Sequence, residues 1–136
     1  VGRIIALDYG KVRTGIAVTD ELQLIASGLT TVETSQLLPF LKQYAGLEEV
    51  AGFVVGEPRQ MDNSPSEAEA LISPFLKELE KAFPGIPIAR QDERFTSGMA
   101  LKSMVEGGLK KKKRRNKALL DEISATLILQ AFLNRK

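Results

Sequence analysis

Val50-Ala51-Gly52-Phe53-Val54-Val55-Gly56 is apolar from end to end. A strand with one wet face would alternate apolar and polar residues, whereas an unbroken run reads as a strand covered on both faces. Such strands sit in the middle of α/β sheets, so this stretch sets the frame for the rest of the chain. On its N-terminal side, Arg3-Ile4-Ile5-Ala6-Leu7-Asp8 is a second aliphatic run that reads as a buried strand. Gly15-Ile16-Ala17-Val18-Thr19 follows closely enough to pair with it antiparallel, and a weaker strand is expected within residues 24–32. Thr34 or Ser35 is positioned to cap a helix carrying Leu37, Leu38, Leu41, Tyr44 and Ala45 at helical spacing, with Gly46 as its stop.

On the C-terminal side, Ser64-Pro65-Ser66-Glu67 has the form of a capping box. It opens a helix that buries Ala68, Leu71, Ile72, Phe75, Leu76 and Leu79. Pro84-Gly85 leads into a fifth strand over residues 86–91. A short helix is expected from Thr96 to Val105, ended by Gly107-Gly108. A last helix over 117–133 presents Leu119, Leu120, Ile123, Leu127, Ile128 and Phe132 as its apolar surface. The order β-β-β-α-β-α-β-α-α predicts an α/β fold, a five-stranded mixed sheet flanked by helices on both faces. No repeat or linker divides the 136 residues, so one domain over 1–136 is expected.

Composition narrows the chemistry. The chain has no Cys and no His, which excludes disulfides, thiolate zinc sites and His-based acid–base or nucleophilic catalysis. A metal would be held by oxygen, which favours Mg2+ or Mn2+. No apolar run approaches a membrane span and no signal-peptide layout opens the chain, so the cytoplasm is the expected compartment. The net charge of +2 hides an asymmetry: Lys110, Lys111, Lys112, Lys113, Arg114, Arg115 and Lys117 form one basic run, and the remainder carries −5. Such a run is either a solvated loop or a contact for a polyanion.

Carboxylates stand where chemistry would need them. Asp8 ends the first strand, and ligands of open α/β sheets collect at the carboxyl ends of strands. Taken alone, Asp8 serves equally well as a turn cap or as a partner for Arg13. Asp92-Glu93 follow the fifth strand, and Asp121 lies in the first turns of the last helix, where a helix dipole would also welcome an acid. If these acids converge, two divalent ions can activate water, polarise a phosphoryl group and stabilise the leaving oxygen without His. There is no Walker-type loop and no dinucleotide-binding glycine pattern.

Several of these segments together resemble the YqgF (RuvX) family. Asp8-Tyr9-Gly10-Lys11-Val12-Arg13-Thr14-Gly15-Ile16-Ala17-Val18-Thr19-Asp20 is similar to its opening signature, and Val54-Val55-Gly56 with Pro58 to its central strand. Asp92-Glu93-Arg94-Phe95-Thr96-Ser97 is similar to the next signature, and the basic run with Asp121-Glu122 and Ile128-Leu129-Gln130 to the last. The resemblance implies an RNase H-like fold related to Holliday-junction resolvases and a nuclease that matures the precursor of small-subunit (16S) ribosomal RNA. It implies Asp8, Glu93 and Asp121 as catalytic and metal-binding acids holding about two Mg2+ or Mn2+ ions. Arg13 and Arg94 become candidates for contacting phosphate or ordering the acids. Glu57 departs from the family pattern, which has an apolar residue between Gly56 and Pro58. Following a central strand, it is either a further ligand or a solvent-facing loop start. In this setting the basic run, Lys110 to Lys113, Arg114, Arg115 and Lys117, is expected to hold a nucleic-acid backbone against the acids without reading sequence. Structured RNA is the expected partner. A branched-DNA resolvase and a non-catalytic RNA-binding factor for ribosome assembly or transcription are the alternatives, and the sequence leaves monomer or weak dimer open.

Overall fold

The computed structural model describes residues 2–57, 69–92 and 117–135. Within them the chain forms β1 (Arg3–Asp8), β2 (Arg13–Thr19), β3 (Ala26–Glu33), α1 (Leu37–Leu47), β4 (Val50–Glu57), α2 (Glu69–Ala82), β5 (Ile88–Asp92) and α3 (Lys117–Asn134). The five strands make one sheet in the order β3-β2-β1-β4-β5. β1, β2 and β3 are joined antiparallel as a meander, while β4 and β5 add parallel to β1 and to β4. This is the mixed five-stranded α/β sheet expected from the element order. The capping box at Ser64 and the short helix expected from Thr96 lie outside the described residues.

Period-two alternation divides the strands between two cores. Ile5, Leu7, Ile16, Val18, Phe53 and Val55 point to one face, where Leu37 and Leu41 of α1 and Ile72, Phe75 and Leu79 of α2 cover them. Ile4, Ala6, Ala17 and Val54 point to the other and meet Ala125, Ile128 and Leu129 of α3. The central residues of β1 and β4 are therefore buried on both sides, which is why polar residues stand only at the strand ends, Arg3, Asp8 and Glu57. β3, at the sheet edge, is largely exposed and correspondingly polar.

Several local expectations change: Leu71, expected among the residues buried by α2, is exposed, and β5 begins at Ile88 instead of at 86. Thr34 does not cap α1, because its hydroxyl donates to the Gly10 carbonyl (2.6 Å) and lies 2.9 Å from the Thr14 hydroxyl. A 3-10 turn over Thr34–Gln36 leads into α1 instead, and the helix runs through Gly46 to Leu47. In α3 the fully buried stripe is Ser124, Ala125, Ile128 and Leu129, whereas Leu119, Leu120, Ile123 and Leu127 are only half-buried. The helix is apolar around most of its circumference, so hydrophobicity does not mark the face that docks. Small residues do, by letting the helix approach the sheet closely. Among the described residues no helix is long and apolar enough to cross a membrane.

Candidate functional site

Asp8 is the last residue of β1 and pairs across the hairpin with Gly15 of β2. Alternation from Ile4 and Ala6 places its side chain on the α3 face of the sheet. Gly15 opens room there: a Cβ at that position would collide with the backbone carbonyl of Asp121. The missing side chain thus lets the fifth residue of α3 settle directly against the end of β1. Asp121 is not a first-turn acid answering the helix dipole. Its Oδ2 accepts a hydrogen bond from Arg13 Nε at 3.0 Å, and the pair is about one-third exposed on the arginine side and one-quarter on the aspartate side (36% and 26%). Glu122, the neighbouring acid, lies instead over Gly28 of β3.

Asp8 has no hydrogen-bond donor on its carboxylate among the described residues, and it is mostly shielded from water. Burial, reinforced by the negative charge of Asp121, pushes its pKa from 3.8 up to about 7. Two carboxylates, one desolvated and without a counterion among the described residues, suit a divalent cation of the Mg2+ or Mn2+ kind. Among the described residues no third His, Cys, Asp or Glu joins them to complete a cluster. The turn before Arg13 is tied down, with Thr34 N donating to the Val12 carbonyl (2.9 Å) and the Thr34 hydroxyl donating to Gly10.

The other expected residues fall as follows. Glu57 ends β4 and pairs in register with Asp92 at the end of β5. Phe53 and Val55 belong to the α1/α2 core and Val54 to the α3 core, so alternation assigns Glu57 to the α1/α2 face, away from Asp8 and Asp121. Glu93, Arg94, Lys110, Lys111, Lys112, Lys113, Arg114 and Arg115 lie outside the described residues. Lys117 begins α3, and its side chain also lies outside them.

One supporting pair carried no signal in the motif reading. Arg90 of β5 donates from Nε to the Val55 carbonyl (3.2 Å) and from Nη2 to the Gly56 carbonyl (3.0 Å). Its two Nη groups also hold the Glu69 carboxylate, both at 2.8 Å. This clamp fixes the carboxyl end of β4 against the start of α2. An arginine within a half-buried strand calls for such a partner, and that demand was the available clue.

A sheet in this strand order, with an acid ending β1 and a second acid on the helix packed across it, defines an RNase H-like domain. Thermus thermophilus RuvC in complex with a Holliday junction substrate shares the fold with a TM-score of 0.56 at 20% identity, over 99% of this chain and 96% of that one. The chain belongs to the RuvX family, described as Holliday junction resolvase, which it matches over residues 2–135. A relative from Christiangramia forsetii is 62% identical over 133 residues, covering 98% of both chains, and is named "Putative pre-16S rRNA nuclease". A relative from Phocaeicola vulgatus with the same name is 57% identical over 136 residues, covering 100% of this chain and 98% of its own.

Proposed function

We propose that this protein is a metal-dependent nuclease that hydrolyses phosphodiester bonds, processing the precursor of 16S ribosomal RNA in the cytoplasm. The observation that carries the reading is the convergence of Asp8 and Asp121, from opposite ends of the chain, at the carboxyl end of β1. The names of relatives up to 62% identical support the RNA substrate.

Asp8 and Asp121 would hold the cation, with Glu93 as the third acid. Divalent ions so held supply an activated water and charge stabilisation at the phosphoryl group. The protein's own contribution is positional. Gly15 admits the helix that bears Asp121, the β1 strand aims Asp8 into the same crevice, and Arg13 holds the Asp121 carboxylate. The basic run supplies sequence-independent grip on the backbone.

Replacing Asp8 with Asn should abolish Mg2+-dependent cleavage of a precursor 16S RNA fragment while leaving the circular dichroism spectrum unchanged. Full activity of a contaminant-free Asp8→Asn protein sinks the proposal. The family description and the junction-bound neighbour favour one second reading, cleavage of branched DNA. Parallel assays with a four-way DNA junction and the RNA fragment, at equal ionic strength, separate the two.

A further inference from the structure

The protein holds two arginine–carboxylate pairs of unlike construction. Arg90 grips Glu69 with both Nη groups at 2.8 Å, and the side chains of that pair are 22% and 23% exposed. Bidentate pairing of this kind is rigid and specific. Arg13 touches Asp121 through Nε alone, at 3.0 Å, with the arginine 36% exposed. Four of its five N–H donors, those on the Nη groups, are engaged by no described residue. Partly exposed pairs of this sort are weak, so the contact breaks at little cost. The backbone beneath is fixed by Thr34, which confines any rearrangement to the Arg13 side chain.

Charge gives the contact a consequence. Asp8 and Asp121 carry two negative charges when ionised, and Arg13 supplies one positive charge to one of them. A divalent cation seated between the acids would balance both and leave Arg13 as a positive group beside a positive ion. An incoming phosphodiester removes that repulsion, because it offers an anion whose oxygens match the guanidinium edge that no described residue engages. We propose that Arg13 is an exchangeable counterion, which neutralises Asp121 in the empty site and passes to a phosphate oxygen as substrate enters, so that cation and phosphodiester bind cooperatively. This role rests on the reading of Asp8 and Asp121 as cation ligands. It makes Arg13 a positioning residue that also keeps the acids from holding a cation tightly before a substrate is present.

The test measures binding, independent of turnover. Calorimetric titration of the full chain with Ca2+, a hard cation, is run for wild type, Arg13→Met and Asp8→Asn, with and without a short single-stranded RNA checked intact by gel. Without RNA, Arg13→Met should bind the cation more tightly than wild type, by roughly five-fold or more. Added RNA should tighten cation binding to wild type by a factor at least about five times that seen in Arg13→Met, since the variant has no counterion to hand over. Equal cation affinities in wild type and Arg13→Met, or equal RNA enhancement in both, overturn the proposal. If Asp8→Asn loses cation binding while Arg13→Met matches wild type, the counterion role alone falls. If wild type binds no cation under either condition, the metal-site reading falls with it. The wild-type protein gives a readout free of substitution: the Arg13 Nε–H signal in an arginine-labelled NMR spectrum, identified by its loss in Arg13→Lys. It should shift on adding Mg2+ with RNA, and a signal unmoved through saturation overturns the exchange.

Discussion

At the scale of single residues, Asp8 carries the sharpest physical signature. Its carboxyl titrates near 3.8 in an unfolded chain and at about 7 in the folded one, so the native state binds the extra proton between those values. The consequence is a loss of stability as pH rises through that window, because the folded protein must ionise a shielded acid beside Asp121. The full effect is present above pH 7 and absent below pH 4. Asp8→Asn removes the burden, so without metal the variant should melt several degrees above wild type at pH 8 and converge with it toward pH 4. Scanning calorimetry in chelator across that range checks this, and a variant equally destabilised at every pH contradicts it. Mg2+ should restore wild type at pH 8 and leave Asp8→Asn unmoved, since the cation compensates a charge the variant lacks. The sequence could single out Asp8 by its place at a strand end. It could not say whether a base neutralises it, because that depends on which acid Arg13 chooses.

At the scale of elements, the site depends on how closely α3 lies on the β1–β2 hairpin. Gly15 sets that spacing: the backbone carbonyl of Asp121 occupies the volume where a Cβ would stand. Gly15→Ala must therefore push α3 outward, carrying Asp121 away from Asp8 and uncovering Ala125 and Ile128. Backbone rather than a flexible side chain is in the way, so a cost of about 3 kcal/mol is expected, at the upper end of overpacking penalties. Urea denaturation should show it, together with loss of cleavage larger than the loss of fold. The strands and the mixed sheet were legible because the interiors of β1 and β4 are uninterrupted apolar runs and β2 follows a short turn. The docking face of α3 was not, because Ser124 and Ala125 identify it by smallness rather than by hydrophobicity. Thr34 misled for a related reason, since a tertiary acceptor, the Gly10 carbonyl, outcompeted the helix terminus that its sequence position suggested. Arg13, Asp8 and Asp121 were each legible as candidates; Arg90 signalled only that it needed a partner, because no spacing encodes that Glu69 and the Val55 and Gly56 carbonyls would supply it.

At the scale of the whole molecule, charge is segregated. The seven basic residues from Lys110 to Lys117 leave a remainder with a net charge of −5, so the rest of the protein repels a polyanion on balance. Any nucleic acid that reaches Asp8 and Asp121 must be drawn there against that field, and the basic run is the densest source of attraction in the sequence. Binding that depends on it should be salt-dependent, with a slope set by the number of phosphates neutralised. Replacing Lys111, Lys112 and Arg114 with Gln removes three of the seven charges without touching an acid. RNA affinity, followed by anisotropy from low to moderate salt, should fall, and the slope of log K against log salt should flatten by roughly 2 to 3 units. The loss should be similar for unrelated RNA sequences, because phosphate contacts carry no sequence information. An unchanged slope would move the nucleic-acid contact off this run altogether. The remaining basic residues, Arg13 foremost, would then have to draw the substrate in against a negatively charged body.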